Sequence, residues 1–323
     1  VLFFLLVLVG NLSAELKSRT LGGVPYYDLA SVGRNLGMRA TWTKVSQVIE
    51  LRSQWTTLRF LVNSRYFELN RRKVYLGKPV ILFQGRPFLS QKDYLLTVRP
   101  ILCPQTLSPR RVAHRIVLDP GHGGKDPGAQ NNGVRLREKD LALEVALRLK
   151  RQLLSDGYEV FLTRETDVYI PLDQRTEFAN RMRADLFVSI HFNSVGKSTV
   201  KGVETFLLPH PFTASSSRTR LEAIDKKSYP GNQNDGWNSL AGFYLHKTLV
   251  EQLGDVDRGL KRSRLKILKN LKCPGMLVEL AFLSHPETAR MLQSSTYRNK
   301  LAVILANGIR VYGKAQLRLI RRS

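Results

Sequence analysis

Several shortages narrow what this 323-residue chain can be. It has only two cysteines, Cys103 and Cys273, too few for a disulfide framework or, by themselves, for a zinc site. One bridge between them and two buried thiols are both compatible with the spacing. No histidine precedes His114, which leaves the first 113 residues without an imidazole for a metal. The apolar run over residues 1–9 is shorter than the roughly 20 residues that span a bilayer. Followed by Gly10, Asn11, Leu12, Ser13 and Ala14, it reads instead as a secretory signal over residues 1–14, though without the initial Met or basic stretch that usually precedes such a core. It predicts export to the periplasm, the envelope or the exterior. No internal repeat or low-complexity segment is evident.

Acidic residues are also scarce, 26 against 51 Lys and Arg, for a net charge of +25 and a pI near 10.4. The excess is dispersed: residues 15–110 hold 16 basic and 5 acidic side chains. Dispersed basicity suits a polyanionic neighbourhood, whether nucleic acid, an anionic membrane face or a wall polymer, and also simple solubility.

What is present centres on residues 116–129, an apolar strand that meets Pro120 and enters a loop with glycines at 121, 123, 124 and 128 around His122. Such loops sit at the carboxyl ends of strands, where open α/β sheets place their sites. Neither dinucleotide nor P-loop glycine spacing is matched, which disfavours a phosphate cradle.

Short strand-like runs with turn signals fill residues 15–104, predicting a small α+β domain; Pro104 and Pro109 mark a linker over 105–113. From residue 114 strands and helices alternate: a strand at 115–118, a helix over 138–155, strands at 158–163 and 185–190, a helix over 171–182, then strands at 202–208, 265–268 and 276–280 with helices between and after them. The expected fold is α/β, a mainly parallel sheet with helices on both faces, over residues 114–312, followed by a basic tail at 313–323. The polar stretch 209–237, with Ser215 to Ser217, Pro230 and Gly231, reads as a mobile loop and a candidate lid.

Of six histidines, His122 and His191 both fall at predicted strand ends facing one crevice. Glu138 opens the following helix, a place where acids often only complement the helix dipole. Taken together, two histidines and one carboxylate have the composition of a catalytic zinc site with a fourth position open; the set favours zinc without excluding iron. Glu279 interrupts an apolar strand, so it needs either an ion-pair partner such as Arg or a metal-activated water for which it acts as general base. His114, His210, His246 and His285 have weaker claims.

Residues 114–312 resemble the zinc-dependent N-acetylmuramoyl-L-alanine amidase catalytic domain of the Amidase_3 type. The matches are residues 116–129, Arg137-Glu138-Lys139-Asp140, residues 189–193, Gly202-Val203-Glu204-Thr205, Asp257-Arg258-Gly259-Leu260 and residues 274–284. The resemblance implies one zinc held by His122, Glu138 and His191, with Glu279 as the catalytic carboxylate. Asn193 and Arg258 are candidate substrate contacts. The implied reaction is hydrolysis of the amide between N-acetylmuramic acid and L-alanine of peptidoglycan. Rival readings are another zinc amidohydrolase or peptidase of the wall, and a non-catalytic binding protein. Expected partners are peptidoglycan, other anionic envelope polymers and an activator protein, and not nucleic acid. Residues 24–29 and 61–69 resemble the stalk-like copper amine oxidase N-terminal module, implying a wall-binding or spacer role without copper chemistry.

Overall fold

The computed structural model describes residues 14–108 and 111–320. The predicted signal, apart from Ala14, lies outside them, as do Pro109 and Arg110 of the linker and Arg321 and Arg322 of the basic tail.

The N-terminal region is built from short strands joined by tight turns. They are β1 (Ser18–Leu21), β2 (Val24–Asp28), β3 (Arg39–Lys44), β4 (Val48–Arg52), β5 (Thr57–Leu61), β6 (Tyr66–Leu69), β7 (Arg72–Tyr75), β8 (Ile81–Phe83) and β9 (Arg86–Ser90). Helix α1 (Leu29–Asn35) begins where Asp28 caps it through the Ser31 amide. The short helices α2 (Gln91–Asp93) and α3 (Arg99–Leu102) flank a π-turn at Tyr94–Val98. β3 to β7 form an antiparallel meander that alternates inward apolar and outward polar side chains: Leu58, Phe60, Phe67, Leu69 and Val74 are buried, while Arg59, Glu68 and Lys73 point to the other face.

The C-terminal region winds through β10 (Arg115–Pro120), the small hairpin β11 (Gln130–Asn131) and β12 (Leu136–Arg137), and α4 (Glu138–Ser155). It continues with β13 (Glu159–Leu162), α5 (Leu172–Arg181), β14 (Leu186–Asn193), β15 (Val203–Leu207), α6 (Asp235–Leu253), β16 (Asp257–Arg262), α7 (Lys266–Lys269) and β17 (Gly275–Phe282), and closes with α8 (Pro286–Gln293) and α9 (Ser295–Ile320). β13, β10, β14 and β17 are parallel; β15 runs antiparallel to β17, and β16 parallel to β15. One face carries the main core, where Ala142, Val145, Ala146, Leu149 and Leu153 of α4 are buried as their spacing predicts. The opposite face packs Val117, Phe187 and Leu277 against α5 and α7.

Four expectations are revised. First, the two regions are not merely tethered. β7 pairs with β16 through Val74 and Leu260, giving one eleven-stranded sheet in the order β13-β10-β14-β17-β15-β16-β7-β6-β5-β4-β3, and one hydrophobic cluster runs from Leu29 to Tyr312. Second, residues 265–268 form part of a helical turn and not a strand. Ile267 and Leu268 are both buried on one patch, which a helix permits and a two-sided strand would split. Third, the basic tail continues α9 as helix to Ile320, with Ala315 and Gln316 buried.

Fourth, residues 209–237 do not overhang the site. Because β15 is antiparallel to β17, its carboxyl end leaves the sheet beside Gly275, the far end of β17 from Glu279. The segment is pinned there: Arg264 donates to Thr213 O at 2.7 Å, to His210 O at 3.0 Å and to Asp225 Oδ1, and His210 Nδ1 lies 2.7 Å from Asp235. Cys103 and Cys273 are both buried and not joined in a disulfide. Among the described residues no helix is long and apolar enough to cross a membrane.

Candidate metal and hydrolytic centre

β10 delivers the glycine loop. Its last residues are fixed by a buried polar cluster: Asp119 accepts from Arg175 at 2.9 Å, Thr163 at 2.6 Å and Ser189 at 2.7 Å. Burial pushes the Asp119 carboxyl up, but Arg175 and the two hydroxyls outweigh it and hold it below the ordinary value. The same Arg175 donates to Pro120 O at 2.7 Å and His122 O at 2.6 Å; Arg164 donates to Pro120 O at 3.0 Å and Gly121 O at 2.7 Å. Two guanidinium groups thus hold the loop carbonyls and fix His122 at a positive φ of 60°.

Two glycines make room for the chemistry. A Cβ on Gly121 would overlap the His191 ring, and one on Gly128 would lie 2.6 Å from His122 Cδ2 and 2.7 Å from Glu138 Oε2. The close approach of imidazoles and carboxylate therefore requires these positions to lack side chains.

His122, Glu138 and His191 converge as the sequence predicts, with one donor atom from each lying within 4.8 Å of the others. The two imidazole rings stand edge to face, centroids 5.0 Å apart. His122 Nε2 is 3.1 Å from Glu138 Oε2 and His191 Nδ1 2.8 Å from Glu138 Oε1. Glu138 is more than a complement to the dipole of α4. The residue is 5% exposed, and its oxygens also accept from Ala129 N at 2.8 Å and Phe192 N at 3.1 Å. Burial pushes its carboxyl up, yet the two histidines outweigh that and hold it far below the ordinary range. His191 lies inside β14, which continues to Asn193, and does not end the strand.

Asp126, for which the sequence suggests no role, lies 2.8 Å from His122 Nδ1 and so turns Nε2 toward the other donors. Burial pulls the imidazole down, but Glu138 and Asp126 together raise it above its ordinary value. Its loop position, four residues after His122, was the available signal.

Glu279 stands across from His191 on one side and Glu204 on the other. Among the described residues no arginine pairs with it, and its Oε2 is buried without a hydrogen-bond partner. Burial, then the charges of Glu138 and Glu204, raise its carboxyl well above the ordinary value. Two imidazoles and the Glu138 carboxylate converge beside Glu279, and this donor set fits zinc.

Asn193 and Arg258 are placed together by Glu204: Asn193 Nδ2 donates to Glu204 Oε2 at 3.2 Å and Arg258 Nε to Glu204 Oε1 at 2.7 Å, with Lys261 on the same oxygen at 2.6 Å. The sequence assigns Glu204 no role; the signal it carries is a buried glutamate on an inner strand. His210 and His246 pair with Asp235 and Asp257 away from the cluster.

The family described as N-acetylmuramoyl-L-alanine amidase, Amidase_3, matches residues 116–311. N-acetylmuramoyl-L-alanine amidase AmiC of Neisseria meningitidis is 35% identical over 217 residues, covering 61% of this chain and 52% of the relative. The AmiC protein of Escherichia coli is 32% identical over 229 residues, covering 64% and 55%. The chain spans about half the length of these curated relatives. Among solved structures, an N-acetylmuramoyl-L-alanine amidase from Clostridium difficile 630 superposes with a TM-score of 0.51 at 29% identity, covering 62% of this chain and 97% of that one. The CwlD amidase of Clostridioides difficile, solved in complex with the GerS lipoprotein, gives 0.50 at 28% identity, covering 62% and 99%. With a match over more than half its length that contains the whole cluster, this chain belongs to the N-acetylmuramoyl-L-alanine amidase family.

Proposed function

We propose that this chain is an exported peptidoglycan hydrolase that cleaves the amide between N-acetylmuramic acid and the L-alanine of the stem peptide. The observation that carries this reading is the convergence of His122, Glu138 and His191 within 4.8 Å beside a carboxylate, Glu279, whose buried Oε2 has no hydrogen-bond partner.

His122, Glu138 and His191 are the residues that would hold one zinc. When bound, zinc supplies the Lewis acid that polarises the scissile carbonyl and acidifies water. Every other task falls to the chain. Glu279 takes the proton from the attacking water and passes it to the departing amine of L-alanine; its raised affinity for a proton suits the second step. Asp126 fixes the tautomer of His122. Glu204 holds Asn193 and Arg258 in place, and these two orient the substrate beside Glu279. The glycine loop and its arginine clamps keep the two histidines in register. A protein partner in the envelope belongs to the same reading, supported by the CwlD–GerS complex.

Digestion of purified peptidoglycan with mass analysis of the fragments tests this. The expected products carry a free L-alanine amino terminus and an intact muramic lactyl group; cuts only within peptide crosslinks would instead identify a wall peptidase.

A further inference from the structure

The face of the sheet that carries His191 and Glu279 does not stop at β15. By register, Glu279 faces Glu204 and Leu277 faces Phe206; Phe206 pairs with Lys261 on β16, and Leu260 with Val74 on β7. Because side chains alternate along a strand, Lys73 and Tyr75 emerge on the same face as Glu279. The pairings Tyr75 with Tyr66, Lys73 with Glu68, Arg59 with Glu68, and Glu50 with Arg59 carry that face on to β4. The helices α5 and α7 and their neighbours cover its β13-to-β15 portion, out to Phe206. Beyond β15 it is a partly exposed shelf. With strands about 4.8 Å apart, the six steps from β17 to β4 make it about 29 Å wide.

The shelf is continuous with the crevice and is made so by the join between the two regions. Gly259 (φ 102°) leaves a dip between Glu204 and Lys73, and Tyr75 lies over it; a Cβ there would be 2.8 Å from Tyr75 Cε2. The Lys73 amide donates to Asp257 at 2.9 Å, which locks β7 to β16. Lys261 Nζ lies 5.9 Å from the Tyr75 ring centroid, and Lys73 Nζ 5.1 Å from that of Tyr66. At the far end a hollow is lined by Glu50, Arg52, Thr57, Arg59 and Glu68. Arg52 and Arg59 keep 66% and 43% of their side chains exposed, and Glu50, their shared partner, only 14%. The shelf therefore presents the partly exposed guanidinium groups of Arg52 and Arg59 together with Lys73, which lies over the Tyr66 ring.

We infer that this shelf is an extended substrate subsite, occupied by a neighbouring stretch of the same peptidoglycan strand whose amide lies at Glu279. Lys73, Arg59 and Arg52 engage the carboxylates of adjacent stem peptides. The N-terminal strands are then part of the substrate surface and not a detached anchor. This rests on the amidase reading for the identity of the polymer.

The test uses the full chain and the triple variant Lys73→Gln, Arg59→Gln, Arg52→Gln, with matched thermal melting as the check on folding. Hydrolysis is measured on a single disaccharide-peptide and on long uncrosslinked peptidoglycan strands, and sedimentation with insoluble peptidoglycan is measured in parallel. The expected result is that KM for strands rises about tenfold, equivalent to about 1.4 kcal/mol, while kcat is unchanged and the single unit is cleaved as before. Sedimentation weakens in step, and Lys73→Arg alone retains it. Equal KM shifts on both substrates, or no shift on strands, overturn the subsite. If the wild type cleaves neither substrate yet sediments in a manner the triple variant loses, the subsite stands and the amidase reading falls; if it neither cleaves nor sediments, both fall.

Discussion

The two halves of the eleven-stranded sheet treat polar side chains differently. Around β10, β14 and β17 both faces are covered, and every polar group that enters must find a partner: Asp119 has three donors, Glu138 two amides and two imidazoles, Arg175 four acceptors. On β4 to β6 one face is open, and Arg59 meets Glu68 at 3.4 Å and Glu50 at 4.0 Å with water at hand. A carboxylate oxygen without a partner is therefore unremarkable on the open half and informative on the covered half, where Glu279 Oε2 stands out.

Substitutions on the covered and the open half should differ in the size of their effects. Glu279→Gln is expected to have the largest effect, with kcat on a soluble muropeptide falling by about 10²–10⁴ while the melting temperature stays level or rises, because a crowded buried carboxylate is removed. Near wild-type turnover would remove Glu279 from the chemistry.

Asp119→Asn comes next. It leaves Arg175 buried without its counter-charge and is expected to destabilise by about 3 kcal/mol in urea melts. The Asp119 carboxyl is depressed in the folded state, so its contribution is present above about pH 4, its unfolded value, and is lost as pH falls further. The wild type should therefore lose stability more steeply than the variant below that pH; parallel acid profiles would remove the clamp.

Asp126→Asn, which changes the partner of His122 Nδ1 and keeps an oxygen for the Gly128 amide, should weaken zinc binding by about 10–100-fold in chelator competition, with little effect on folding. The smallest effect belongs to the open half: a double-mutant cycle on Arg59 and Glu68 should give a coupling of at most about 1 kcal/mol. A coupling as large as that of Asp119 with Arg175 would erase the distinction between the halves.

Local pattern made much of this readable from the residues. Strand, glycine loop and amphipathic helix lie consecutively in residues 116–155, so His122 and Glu138 could be placed by chain proximity, and a lone glutamate in an apolar strand marked Glu279. Less legible were features set by distant pairings. The two halves of the sheet meet where Val74 pairs with Leu260, and neither residue differs from any other buried apolar residue of a strand. The antiparallel direction of β15 decides where residues 209–237 go, and composition carries no sign of strand direction. Arg164 and Arg175 look like surface charges in sequence; only the fold turns them onto loop carbonyls.

Metal content measured together with turnover probes the centre most directly. Wild type and Glu279→Gln should each hold about one zinc per chain, with turnover lost only in the second, while His191→Ala should lose the metal and the activity together. Active wild-type protein without bound metal, or His191→Ala retaining a full complement of zinc, would contradict the assignment.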